Sequence, residues 1–219
     1  MDTDSEGLRA RKKRRTRQAI SDAAIALILD RGFDKVSVAD IAAAAEVSKP
    51  TLFAYFPTKE DLVLDRIDDH RDEAARVVAR RGDQPPLAAL HAHHRALLAA
   101  RDPVTGLCDE PDSVRLREII YGTPSLAAHL LRYAARSERA LADALVRTAG
   151  VDEVTAAIAA AAINAVQLTL AERNHRAVVA GTSADDRYPA AVQAADRAFA
   201  LLGAGLADVL AAPVGTEPA

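Results

Sequence analysis

The chain has 219 residues and a formal net charge of −3; half of its residues are hydrophobic, and aromatics make up only 4% with tryptophan absent. That length fits one large or two small domains, and a composition dominated by alanine and leucine predicts an all-α protein, since both are strong helix formers. The single cysteine, Cys108, excludes an internal disulfide; no membrane span is expected, the polar N-terminus lacks the apolar run of a secretory signal, and a cytoplasmic location is expected.

The first elements are strongly basic. Residues 1–13 read as a disordered basic arm, and Arg9, Arg11, Lys12, Lys13, Arg14, Arg15 and Arg17 crowd seven cations into positions 9–17. A first helix is predicted from about Thr16 to Arg31, with Ile20, Ala23, Ala24, Leu27 and Ile28 on one face, and Gly32 ends it. Ser37 is a good N-cap for a short second helix with Val38, Ile41, Ala42 and Ala45 as its apolar face. Ser48 caps a third helix of about eight residues, where Pro50 is tolerated because first-turn N–H groups have no intrahelical partner. Leu52 and Phe56 are its inward pair.

A connecting helix is predicted over 59–81, a break at 82–86, and further helices over 87–101, 113–121, 125–149, 152–180 and 186–211. A loose tail follows from Pro213. Residues 9–58 carry ten Lys/Arg against five Asp/Glu, whereas residues 59–219 carry eighteen against twenty-three. A basic segment on an acidic body points to an acidic partner for the N-terminal part.

Two short helices joined by a tight turn make a helix-turn-helix pattern, although any three-helix mini-bundle shares that periodicity. The literal residues are sharper. Ser37-Val38-Ala39-Asp40-Ile41-Ala42, then Val47-Ser48-Lys49-Pro50-Thr51-Leu52-Phe53-Ala54-Tyr55-Phe56-Pro57-Thr58-Lys59-Glu60-Asp61-Leu62, with Arg31-Gly32-Phe33 before them, closely resemble the TetR family of bacterial regulators. The resemblance covers roughly residues 14–64. It implies a helix-turn-helix domain over 14–58 and a helical ligand-binding and dimerisation domain over 82–212. It also implies a homodimer on a double-stranded, pseudo-palindromic DNA operator, usually as a repressor released by a small molecule.

On this reading Lys49 and Thr51 reach base edges or phosphates, and Pro50 makes apolar contact such as with a thymine methyl. Ser37, Ser48, Tyr55 and Lys59 lie where phosphates are contacted, and the N-terminus of the 49–55 helix favours phosphate through its dipole. Arg14, Arg15 and Arg17 are expected to track phosphates or enter the minor groove. Leu52, Phe56 and Ile41 are expected in the core. The chain departs from the family at three places. Glu46 stands where glycine is common in the turn, at a cost of roughly 1–2 kcal/mol if that site has positive φ. Phe53 replaces a usual tyrosine, which removes a phosphate hydroxyl contact, and Ala54 is small.

Sites behind the helix-turn-helix are less defined. His91 and His94 share a helical face as a possible metal pair, but no third ligand is nearby; pocket lining or surface are the alternatives, and no metal or cofactor is expected. Cys108, beside Asp109 and Glu110, lacks the surroundings of a reactive thiol. Asn164 and Gln167 interrupt an apolar run and either face a ligand, hydrogen-bond across a dimer interface, or satisfy the core. With them, His94, Arg117, Ile120, His129 and Tyr133 form the candidate ligand-binding set, in a cavity that is otherwise apolar; an equally apolar face could be plain core. The segment from Arg117 to His129 is also similar to a TetR subgroup linked with acyl-CoA-like ligands, which implies a lipophilic or acyl-thioester effector. Two other functions stay open. One is a DNA-binding regulator or architectural protein without an effector. The other is a helical enzyme built on His91 and His94, for which a nucleophile–base pair is missing.

Overall fold

The computed structural model describes the backbone of residues 3–68 and 72–210, and the side chains of residues 11–65 and 72–205. Among these the secondary structure is entirely helical: α1 (Thr3–Arg31), α2 (Val38–Ala44), α3 (Lys49–Tyr55), α4 (Lys59–Asp68), α5 (Glu73–Ala79), α6 (Pro86–Ala99), a 3-10 turn (Pro103–Thr105), α7 (Pro111–Gly122), α8 (Pro124–Ala149), α9 (Glu153–Val179) and α10 (Ala184–Leu210). The expected tail from Pro213 lies outside the described residues.

The chain forms two compact units. The first is Met1–Arg66 with Arg115–Leu130; the second is Ile67–Val114 with Leu131–Ala219. The first thus takes in a segment that a single boundary near residue 82 would have assigned to the ligand-binding part. Its core is built from one face of each helix. Ile20, Ala24, Ile25 and Ile28 come from α1, Ile41 and Ala42 from α2, Leu52 from α3, Leu62, Val63 and Leu64 from α4, with Phe33, Val36 and Phe56 from the connections. Ile120 of α7 and Leu126 of α8 are buried in the same unit. Ser21 is also fully buried and donates its hydroxyl to the Leu62 carbonyl at 3.1 Å, which satisfies a polar group that lies one turn from the buried Ala24 and Ile25.

In the second unit, one cluster gathers Val78, Leu90, Leu141, Leu145, Ile163 and Phe199 around the small residues Ala144, Ala156, Ala159 and Ala160. A second gathers Leu98, Leu107, Leu170, Ala191 and Ala195. Small residues let helices approach closely, and the 3-10 turn carries this further. Gly106 has φ 68°, and a Cβ placed there would lie 2.0 Å from the Ala171 carbonyl oxygen, so only glycine fits. Asn174, nearly inaccessible, donates to the Thr105 carbonyl at 3.1 Å and fixes the same turn on α9. The turn escaped the sequence reading because its partners lie some seventy residues away.

Two expectations are corrected. The helix predicted to start near Thr16 starts at Thr3, so residues 3–13 are helical rather than a disordered arm. Positions 8–17 contain no glycine or proline, Leu, Ala, Arg and Lys are good helix formers, and extending a helix already held by Ile20 and Ile28 avoids a new nucleation cost. The continuous helix over 59–81 is divided into α4 and α5, with Asp72 in the N-cap position of α5; residues 69–71 of that expectation lie outside the described residues. Asp65, Asp68, Asp69 and Asp72 would stack four carboxylates at i, i+3, i+4 and i+7, which penalises one continuous helix. By length and composition alone, α9 is long and apolar enough to cross a membrane. Its inner face packs in the second unit through Ala156, Ala159, Ala160, Ile163 and Leu170.

Candidate nucleic-acid interface

The helix-turn-helix is built by two side-chain caps around one strained turn. Ser37 is extended, and its hydroxyl oxygen accepts the Asp40 N–H at 3.1 Å. The Asp40 carboxylate in turn accepts the Ser37 hydroxyl at 2.6 Å and its N–H at 2.9 Å. This capping box satisfies N–H groups that the helix start would leave open. The Ser37 hydroxyl, then its N–H, holds the Asp40 carboxyl below the usual carboxylate range. Ser48 caps α3 likewise, accepting the Thr51 N–H at 3.2 Å, while the Ser48 and Thr51 hydroxyl oxygens sit 2.8 Å apart. Between the helices Glu46 has φ 52°, the left-handed conformation in which a side chain costs roughly 1–2 kcal/mol. The Val47 N–H closes this turn on the Ala42 carbonyl at 2.9 Å.

Burial divides α3 sharply. Leu52 and the following Phe56 are fully buried, whereas Phe53 is 48% exposed. Lys49, Pro50, Thr51 and Ala54 are exposed, as are Ser37, Ser48, Arg14 and Arg15, and Tyr55 is half-buried. The caps and the alternation of Leu52 and Phe56 turn one face of a seven-residue helix inward and leave the other in water.

Three of the expected DNA-contacting side chains are engaged inside the first unit. Arg17 is the clearest. Its Nη2 lies 2.6 Å from Asp65, its Nε donates to the same oxygen at 2.8 Å, and its Nη1 donates to the Tyr55 carbonyl at 2.9 Å. Its guanidinium also lies 4.4 Å from the centre of the Phe56 ring. Arg17 therefore braces α1 against the end of α3 and against α4, rather than belonging to a free arm. The Lys59 ammonium donates to the Phe33 carbonyl and lies 4.1 Å from the centre of the Phe33 ring. The Ser37 hydroxyl proton is held by Asp40. Each partner is distant in sequence or part of a local cap, so composition gave no sign of the first two.

One contact in this unit went unread in the sequence. The Asp61 carboxylate uses Oδ2 to accept the Thr58 N–H at 2.9 Å and hydroxyl at 2.7 Å, capping α4 directly after the helix-turn-helix. Its Oδ1 lies 2.8 Å from Nε2 of His129 on α8, with both side chains largely buried. His129, expected in a ligand site, thus ties α8 to the start of α4.

The other ligand candidates are divided between the units. Arg117 and Ile120 belong to the first with His129, whereas His94, Tyr133, Asn164 and Gln167 belong to the second. The Arg117 guanidinium lies 4.8 Å from the Tyr121 ring centre, with its Nε buried and unsatisfied among the described residues; Ile120 and Tyr133 are buried. Asn164 donates to Glu138 at 2.6 Å, and Gln167 is half-buried. His91 lies 2.8 Å from Asp196 and stacks on Phe199 at 4.8 Å between ring centres. His94 is buried 5.7 Å from Phe199, and its Nε2 makes no hydrogen bond among the described residues. Burial first, then the nearby His91 and His93, pushes His94 down to about 4, so it is neutral at pH 7. The two histidines of the possible metal pair thus both pack on Phe199, with His91 held by Asp196 and His94 buried, and no group of three metal-ligating side chains occurs among the described residues.

Comparison with known proteins converges on one family. Residues 20–65 match the family model described as "Bacterial regulatory proteins, tetR family". The chain is 35% identical to the HTH-type transcriptional regulator TcmR of Streptomyces glaucescens, over 67% of this chain and 66% of that one. It thus spans just under two thirds of that relative's length. It is 31% identical to MftR of Mycobacterium tuberculosis, a transcriptional regulator assigned to mycofactocin biosynthesis, over 64% of this chain and 69% of that one. The fold resembles that of SmeT in its complex with triclosan, with a TM-score of 0.56 and 18% identity over 93% of this chain and 98% of that one.

Proposed function

The chain belongs to the TetR family of DNA-binding transcriptional regulators, and from that membership we propose that it is a cytoplasmic homodimeric repressor. In this reading α2 and α3 engage a pseudo-palindromic operator, and a small lipophilic or acyl-CoA-like effector releases it. The observation that carries the DNA role is the division of α3. Lys49, Pro50, Thr51, Phe53 and Ala54 face solvent on a helix whose other side is locked by Leu52 and Phe56. Arg14 and Arg15 remain exposed on α1 and add phosphate-directed charge. Ser48 and Tyr55 border this face, while Arg17, Lys59 and Ser37 act by holding the reading helices in place.

A second copy is supported by α9. Val154, Ile158, Leu168 and Val179 are 69%, 59%, 45% and 53% exposed. With the exposed Ala161 and Ala165, Val154, Ile158 and Leu168 recur at steps of three and four residues, giving one apolar stripe over the first four turns of the helix; Val179 lies eleven residues further on, beyond the exposed Glu172 and Arg176. On a pseudo-palindromic operator, a two-fold dimer engages half-sites about 34 Å apart, one DNA turn. An effector releases DNA only by binding better to the conformation in which that spacing is wrong. The unsatisfied, neutral His94 beside Phe199 is the polar group in an apolar setting that such a ligand would use.

Selection of bound duplexes from a random pool tests the proposal. The expected product is two inverted half-sites centred about one helical turn apart. A single asymmetric site would contradict the dimeric mode. Acyl-CoA esters and free fatty acids, added to the selected complex, are expected to release the DNA. If saturating additions change neither DNA binding nor melting temperature, a regulator without such an effector is the better account.

A further inference from the structure

The chemistry of α3 constrains how it can read sequence. Base edges are read by arginine or lysine on guanine, by asparagine or glutamine on adenine, and by acidic side chains on cytosine. Of these, Lys49-Pro50-Thr51-Leu52-Phe53-Ala54-Tyr55 contains only Lys49. Leu52 is buried, and Tyr55 is half-buried with its carbonyl holding Arg17. The Ser48 and Thr51 hydroxyls are bonded to each other, which occupies one of their two protons. Lys49 is the one cation of the helix. The rest of the exposed face is Pro50, Phe53 and Ala54, at i, i+3 and i+4, so they are contiguous on the helix surface.

A phenyl ring that is 48% exposed on an otherwise well-packed helix has apolar surface to bury. It cannot stabilise a phosphate, since it has no strong donor and would only strip water from the charge. The apolar feature that the major groove offers is the 5-methyl group of thymine. We propose that Phe53, flanked by Pro50 and Ala54, is a specificity-determining residue that selects thymine in each half-site through its methyl group. This rests on the reading of α2 and α3 as the DNA-engaging pair. Lys49, at i−4 from Phe53, supplies the polar contact beside it, to a guanine edge or to phosphate.

The experiment uses the full-length protein and duplexes selected from a random pool. Each thymine of the enriched half-site is replaced by deoxyuridine, which removes the methyl group and leaves the pairing edge intact. Burying one methyl is worth about 0.8 kcal/mol, so affinity is expected to fall about fourfold for a contacted position in one half-site, and about 15-fold when both are changed. Deoxyuridine in the spacer between half-sites is expected to have no effect. Phe53→Ala, at an exposed position, is expected to keep the wild-type melting temperature and to bind thymine and uracil duplexes equally. Two results would overturn the proposal: equal wild-type affinity for both duplexes, or full discrimination retained by Phe53→Ala. Failure to enrich any duplex is a different outcome; it would remove the DNA-reading function itself.

Discussion

The helix-turn-helix and the second unit differ in how their side chains are fixed. In the first, the caps that start its helices are short in sequence, Ser37 to Asp40, Ser48 to Thr51, and Thr58 to Asp61, each three residues apart, while Arg17 adds a long brace to Tyr55. The second also has local caps at Asp152 and Ser183, but its packing is fixed by long contacts: His91 to Asp196, Asn174 to Thr105, and Gly106 against Ala171. A local cap has a fixed spacing and a short menu of residue types, so the exposed face of α3 was legible from order alone. A buried group whose partner is a hundred positions away carries no such mark.

That contrast explains which expectations needed correction. Leu52, Phe56 and Ile41 are core because helical periodicity required it, and Glu46 adopts positive φ because the turn geometry demands it. Arg17 and Lys59 have the charge of phosphate contacts, yet a carboxylate on α4 and a backbone carbonyl engage them. His129 has the placement of a ligand group on an amphipathic helix, yet it meets Asp61. Residue type was readable in each case and the partner was not. The ligand-site expectation combined residues from four helices that fall in two different units, a division that no local spacing announces.

Mutations can break or sharpen this contrast. The largest effect is expected for Phe56→Ala, which empties a fully buried position and removes the ring beneath Arg17. Stability should fall by about 3–5 kcal/mol in thermal or urea unfolding, with DNA affinity lost through unfolding.

Next comes the pH response of the second unit. Folding depresses His94 from its ordinary 6.5 to about 4. Between those values the unfolded chain takes up a proton that the folded chain refuses. Its contribution is therefore fully present above pH 6.5 and lost as pH falls towards 4, by about 3 kcal/mol in total. Urea titrations from pH 7 to 4 should show His94→Leu losing less stability on acidification than the wild type.

A smaller effect of opposite sign is expected for Glu46→Gly. Relief of the left-handed strain should stabilise the protein by roughly 1 kcal/mol, net of the greater backbone entropy of glycine, and removal of a negative charge near the reading face should tighten DNA binding at low salt. An unchanged melting temperature with weaker DNA binding would show that this turn carries a role beyond strain.

The most direct test of the account pairs stability with DNA affinity in Lys49→Ala/Phe53→Ala, both exposed on α3. Because neither side chain is in the core, the double variant should melt within about 1 kcal/mol of the wild type while its affinity for the selected duplex falls at least about 30-fold, as expected for losing a phosphate or base contact and an apolar base contact from both half-sites. Unchanged affinity in a variant that melts normally would contradict the claim that the exposed face of α3 reads the operator.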